Sequence, residues 1–349
     1  MSNHAGEASG TMPGEFDTRH MVKRLLELGV FLGVLVIAIL SFPGLDTLRD
    51  RFAQANVALL VLIGVLKLCS CLSNIVAFRD VFCPGMSWRF SFELGMAEQA
   101  TNVLVPTGGA GGLALGAWAL RQGGMSTEHI GRRSVAFFVL TSVPNFVCAA
   151  VFGPVLLTGL FDGKIPFVPT LVFSVLAWAA ALFIFMLPRL LPDRPRATGA
   201  SWANKLRAGL AIGADGIRDV GEIIRTRRWG AILGAIGYLG FDIAALLVAF
   251  AAFGDTPALG PIVFAYVVGQ LGGLIPLPAG IGGTDGGLIG AMVLYGSPLS
   301  VAVAAVLAYR AFQLAVPAII GTVSFIGLRR ELARTPEPAG HCAPLAGEQ

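Results

Sequence analysis

The chain has 349 residues, 55% of them hydrophobic and only 13% charged, with 45 glycines and a formal net charge of +4. A soluble domain carries about 25% charged residues, so this composition excludes a soluble globular enzyme and points to an all-α polytopic membrane protein. The small positive excess offers no footing for nucleic acid, and its placement matters more than its size.

In chain order, residues 1–20 are small and polar and are expected to form a disordered N-terminal tail. A single transmembrane domain is expected over 21–330, in halves of about 21–188 and 229–330 joined by a basic loop, 189–228. Residues 331–349 are expected to form a disordered C-terminal tail. A spanning helix needs roughly 20 apolar residues. Six runs qualify as full spans, at about 25–42, 55–78, 134–160, 167–187, 229–253 and 300–328. The first resembles a signal sequence in outline, but it is long for one and no Ala-x-Ala site follows. Four shorter pieces, 90–105, 111–120, 261–276 and 281–295, pair into two re-entrant or broken hairpins. They can also be read as short or tilted spans, which gives up to ten crossings.

The second hairpin contains the stretch Gln270 to Tyr295, rich in glycine, with Pro276, Pro278 and the carboxylate Asp285. Thr101 to Trp118, around Pro106, has the same character. Glycine and proline disfavour an uninterrupted helix. Non-helical backbone at membrane depth is tolerated only where protein or a water-filled cavity covers it. Two such broken segments in matching places of two halves point to a transporter's binding site.

Nine Lys and Arg against four acidic residues fall between Pro188 and Arg228. Three more lie between Arg121 and Arg133, and three follow Leu328. The opposite loops are nearly neutral. The positive-inside rule places both termini and the middle loop in the cytoplasm. Residues 202–228 read as a basic amphipathic helix attracted to anionic inner-leaflet headgroups. With this orientation the two hairpins enter from opposite sides, and the halves form a pseudo-inverted repeat.

Lys67, Glu98, Asp242, Asp285 and Arg310 lie inside apolar segments, joined by Glu93, Asn102 and Gln270. An ionised side chain at a helix centre costs roughly 3 kcal/mol on insertion scales, so these groups must face one another or water. Arg310 is expected to pair with Asp285 or Asp242, and Lys67 to be structural or to snorkel. Gly29, Gly33 and Gly234 read as close-packing positions. The substrate-binding set is Asp285, Arg310, Asp242, Glu98, Asn102, Pro106, Gln270, Pro278, Gly282 and Gly283. The five cysteines form no framework and read as reduced packing residues, the Cys-x-Cys at Cys69 and Cys71 being a poor metal site. His4, His20, His129 and His341 are scattered, so no metal, catalytic or cofactor site is assigned.

Ile275-Pro-Leu-Pro-Ala-Gly-Ile-Gly-Gly-Thr-Asp285, then Tyr295-Gly296, then Ala304-Ala-Val-Leu-Ala-Tyr-Arg310 resembles the second half of the lysylphosphatidylglycerol synthase transmembrane (flippase-like) family. Asn102 and Pro106, followed by Gly124 and Ser126, resemble its first-half motif. The likeness covers about Leu25 to Leu328. Asp285 stands where the family usually has Glu, and Thr107-Gly-Gly-Ala-Gly-Gly replaces an Arg and a Gly-Glu. The family's soluble aminoacyl-transferase domain is absent from these 349 residues. The resemblance implies lipid translocation in a prokaryotic cytoplasmic membrane, of an anionic phospholipid or lipid-linked precursor, beside lipid or glycan biosynthesis enzymes. No ATP-binding motif occurs, so movement is expected to be downhill or ion-coupled. Two other readings stand. Asp242 and Asp285 are similar to an intramembrane aspartyl pair that would share a proton to activate water. The chain also fits a non-transporting subunit of a lipid or glycan synthesis complex.

Overall fold

Apolar runs as long as a bilayer is thick have no partner for their backbone amides except themselves, so they become helices. The computed structural model describes residues 18–41, 46–105, 110–158, 166–190, 202–272, 282–334 and 338–342. Every long element among them is a helix. Five are long and apolar enough to cross a membrane: α3 (Val57–Phe82), α6 (Thr127–Leu157), α7 (Phe167–Leu190), α9 (Trp229–Ala252) and α12 (Leu299–Arg334). The sixth expected span is α1 (Thr18–Ser41), whose Leu26, Val30, Val34 and Ile37 are exposed as a lipid-facing stripe. Short, polar α2 (Asp46–Ala53) follows it. The chain is thus a multi-pass all-α membrane protein.

The four short pieces form α4 (Trp88–Leu104), α5 (Ala110–Gln122), α10 (Leu259–Gly272) and α11 (Gly283–Leu294). At 1.5 Å per residue each is roughly 18–26 Å long, short of the roughly 30 Å hydrocarbon core. α4 packs on α5 and α10 packs on α11, as two hairpins. Pro106 and Pro278, at the expected bends, lie outside the described residues.

Packing follows the repeat. The units α3–α6 and α9–α12 have the same order: span, hairpin, span. Nearly every contact in one unit has its mate in the other. The first arm of each hairpin lies against the last span of the other unit, α4 on α12 and α10 on α6. α3 meets α12 as α9 meets α6, and α3 lies along α9 between the halves. Between the units in the chain lies α7, a single helix long and apolar enough to cross a membrane, as the odd span that an inverted second unit requires. The α3–α9 contact is close because Gly234 has no side chain. A Cβ there would stand 2.6 Å from the Ala77 amide nitrogen and 2.7 Å from the Ser73 carbonyl oxygen. Gly29 and Gly33, expected to serve the same purpose, face open space.

The basic loops gather on one face. α8 (Trp202–Arg225) packs on α6 and α7, and its Asp219 stands 3.0 Å from Arg132 and 3.6 Å from Arg133. Arg228 reaches Asp80 at the end of α3, 3.3 Å away. The C-terminal segment joins the same face, where the Ala339 amide donates to the Gly123 carbonyl at 2.8 Å. Residues 331–334, assigned from sequence to the disordered tail, complete α12, and 340–342 form a single 3-10 turn. On the other face, the Asn56 amide donates to the Ala252 carbonyl and Phe52 packs edge-on against Phe253.

Candidate functional site

The second hairpin carries the ion pair that the sequence suggests. α11 opens at Gly282, which sits at φ 90°, a conformation that suits glycine. Its amide donates to Asp285 Oδ2 at 2.8 Å. A first-turn carboxylate is also favoured by the helix N-terminus. The short link from α11 to α12 returns the chain alongside, so Arg310 Nε donates to Asp285 Oδ1 at 2.6 Å. Arg310 Nη1 also donates to Gln313 Oε1 at 2.6 Å. Arg310 is buried, with 7% of the residue exposed. Gly283 packs backbone to backbone against Gly272, locking α11 to α10, and Gln270 lies two residues earlier on α10, half-buried.

Asp242 is not part of this group. It is fully buried on α9 and holds Lys67 of α3, with Nζ at 2.8 Å from Oδ1 and 3.2 Å from Oδ2. The Tyr266 hydroxyl donates to Oδ2 at 3.2 Å. Lys67 therefore does not snorkel. This pair sits where the two repeat units meet, and it links them.

The first hairpin builds something different. Between α3, α4, α5 and α6 lies a cavity of about 470 Å³. Phe78, Phe82, Leu120 and Phe137 give it apolar walls, and Glu98 and Asn102, with the hydroxyls of Ser134 and Thr141, supply its polar groups. Leu113 and Phe138 stand at its edge, 57% and 70% exposed, as a side opening towards lipid would require. Asn102 Oδ1 accepts the Gly112 amide at 2.8 Å and so braces the start of α5. Glu98 lies directly against Gly116, where any Cβ would collide with its carboxylate. Among the described residues no cation pairs with Glu98 and no side chain donates a hydrogen bond to it, although the Ser134 and Thr141 hydroxyls line the same cavity. A carboxylate left alone in an apolar cavity is costly unless something enters to meet it.

The single set of polar residues expected from the sequence thus divides in the structure: Asp285 pairs with Arg310, Asp242 pairs with Lys67 instead, and Glu98 and Asn102 line a separate cavity at the first hairpin. The sequence misses the aromatic wall of the cavity, because phenylalanines inside an apolar helix stand out from nothing. It also misses a junction at the basic face. Cys83, read as an unpaired thiol, is joined there to Cys342 as a disulfide, with Cα atoms 5.8 Å apart, and His341 lies beside them.

The family profile described as Lysylphosphatidylglycerol synthase TM region matches residues 25–321, all but the first and last stretches of the chain. Among curated proteins none matches it.

Proposed function

Because the chain belongs to the lysylphosphatidylglycerol synthase transmembrane family, we propose that it binds a membrane lipid by its headgroup and moves it across a prokaryotic cytoplasmic membrane. The observation that carries this reading is the first-hairpin cavity. It has apolar walls for acyl chains, an apolar edge towards the bilayer, and one carboxylate without a partner, Glu98. A headgroup that brings hydroxyl or ammonium donors would meet Glu98 and Asn102. Arg310 cannot act as a bare anion trap, since Asp285 and Gln313 already hold it. It takes part only by exchanging Asp285 for a lipid phosphate, which makes the second hairpin the complementary station. The basic face is the cytoplasmic one, by the positive-inside rule, and α8 rests there against anionic headgroups.

The aspartyl-pair reading is disfavoured. Asp242 and Asp285 each pair with a different cation, Lys67 and Arg310, on different helices, and among the described residues no hydrogen bond joins one carboxylate to the other. A membrane subunit that binds lipid for a neighbouring enzyme would use the same cavity but would not translocate.

Reconstituted vesicles separate these readings. Headgroup-labelled lipids should cross between leaflets faster with the protein than without it. Glu98→Gln should slow that crossing roughly tenfold or more, the loss of one charge-assisted hydrogen bond of about 1.5–3 kcal/mol. Gly116→Val, which forces Glu98 aside, should do the same. Crossing no faster than in protein-free vesicles would refute translocation.

A further inference from the structure

We propose that Cys83, His341 and Cys342 form a binding site for a thiophilic divalent cation of the Zn²⁺ class, which clasps the C-terminal segment across one end of the Glu98 cavity. Their ligand atoms lie within 4.8 Å of one another, and Cys83 Sγ stands 4.0 Å from His341 Nε2. Tetrahedral zinc, with bonds of about 2.3 Å to sulfur and about 2.0 Å to nitrogen, sets such atoms roughly 3.5–3.8 Å apart. Cys83 Sγ and His341 Nε2 are near that spacing. The two sulfurs reach it once their bond is opened and the side chains turn apart from Cα atoms 5.8 Å from one another. The backbone around them is already held. The Cys83 amide caps α3 on the Arg79 carbonyl at 2.9 Å, and its carbonyl accepts the Met86 amide at 3.0 Å. On the other side Ala339 is fully buried and bonded to Gly123, and the Cys342 amide donates to Ala339. Gly85 leaves room for the imidazole, since a Cβ there would approach Nε2 to 3.2 Å.

The chemistry follows from the compartment, and here the inference rests on the orientation proposed above. The structure closes the two sulfurs as a disulfide, but cytosolic thiols are kept reduced. Two electrons and two protons from the cytosolic dithiol pool turn the bridge into two thiols. A Zn²⁺ ion then displaces one proton from each to water. Two thiolates, one neutral imidazole and the dication sum to zero charge, which suits a half-buried place. Cys83 is 6% exposed while His341 is exposed, so the ion has an approach and a water has the fourth position. Cys83 directly follows Phe82, and Gly123 follows Leu120 by three residues. Both Phe82 and Leu120 line the cavity. The clasp therefore ties the α3 wall to the α5 wall through the tail.

Titration of the full-length protein, purified in detergent and held reduced without oxygen, with Co²⁺ alone tests this. The expected result is uptake of about one equivalent per chain, with a thiolate-to-metal charge-transfer band that Zn²⁺ removes. Cys83→Ser and Cys342→Ser should each abolish the band. His341→Ala, at an exposed position, should weaken binding roughly tenfold or more. Replacing Cys69, Cys71 and Cys148 with Ala should leave the band unchanged. Uptake by the wild type no greater than by the Cys83→Ser/Cys342→Ser variant overturns the site. A topology reporter at the C-terminus separates the two readings. A cytosolic terminus without Co²⁺ uptake refutes the clasp alone, and an external terminus refutes both the orientation and the reduced state that the clasp requires.

Discussion

Lys67 and Asp242 are both buried, yet their value to the fold depends entirely on each other. Two charges taken out of water together roughly break even against an apolar pair, whereas one left without its partner is strongly unfavourable. Lys67→Met should therefore destabilise the protein by about 3–5 kcal/mol, measured as the loss of denaturant resistance in micelles. Lys67→Met combined with Asp242→Leu should recover most of that loss. If the double variant were as unstable as the sum of the two single ones, the pair would not be an isolated couple and Tyr266 would have to share the charge. Arg310 and Asp285 form a second couple, but a wetter one. The Asp285 side chain is 18% exposed, so water is available to replace either partner there. Of the two, this is the pair able to open for a ligand. Its partners are 25 residues apart on consecutive helices, which is why Asp285 is one of the two partners that the sequence offers for Arg310, beside Asp242. The Lys67–Asp242 pair, 175 residues apart, depends on which faces of α3 and α9 meet, and hydropathy does not encode that.

At the scale of the helices, the lengths are imposed by the bilayer and are therefore legible in the composition. Runs of some 20 apolar residues become spans, and shorter runs interrupted by proline and glycine become hairpin arms. The contacts between helices are less legible. Glycine is abundant along the chain, but only some glycines mark a crossing. Gly234 faces Ala77 and Ser73 at backbone distance, while Gly240, two turns nearer the helix centre, meets nothing within 4 Å. Gly234→Leu should prise α3 from α9 and cost about 1–3 kcal/mol or more, as overpacking does. Gly240→Leu, on the lipid side of the same helix, should cost little. Thermal unfolding of the two variants in one detergent reads the difference directly. Equal effects would mean that helix propensity, not close approach, sets the cost. The cavity was hidden for a related reason. Its walls are aromatic residues in helices that are apolar all round, so no periodicity singles out the side that faces inward.

At the scale of the molecule, the inverted order of the two units was visible in the placement of Lys and Arg and in the echo between the two glycine-rich stretches. The exchange of hairpins between units was not visible, because it is a property of packing. Each hairpin's first arm rests on a span of the opposite unit, α4 on α12 and α10 on α6. Neither half is then a finished object. A chain severed between α7 and α8 and produced as one piece would leave the α4 surface without its cover, and the other piece would lack the same at α10. Each piece alone should aggregate or be degraded, while the two made together in one cell should co-purify and restore a single species by gel filtration. Independent survival of either piece would show that the exchange is decorative. If the pieces do depend on each other, this protein would be a natural two-part complementation system, with its assembly readable as a simple yes or no.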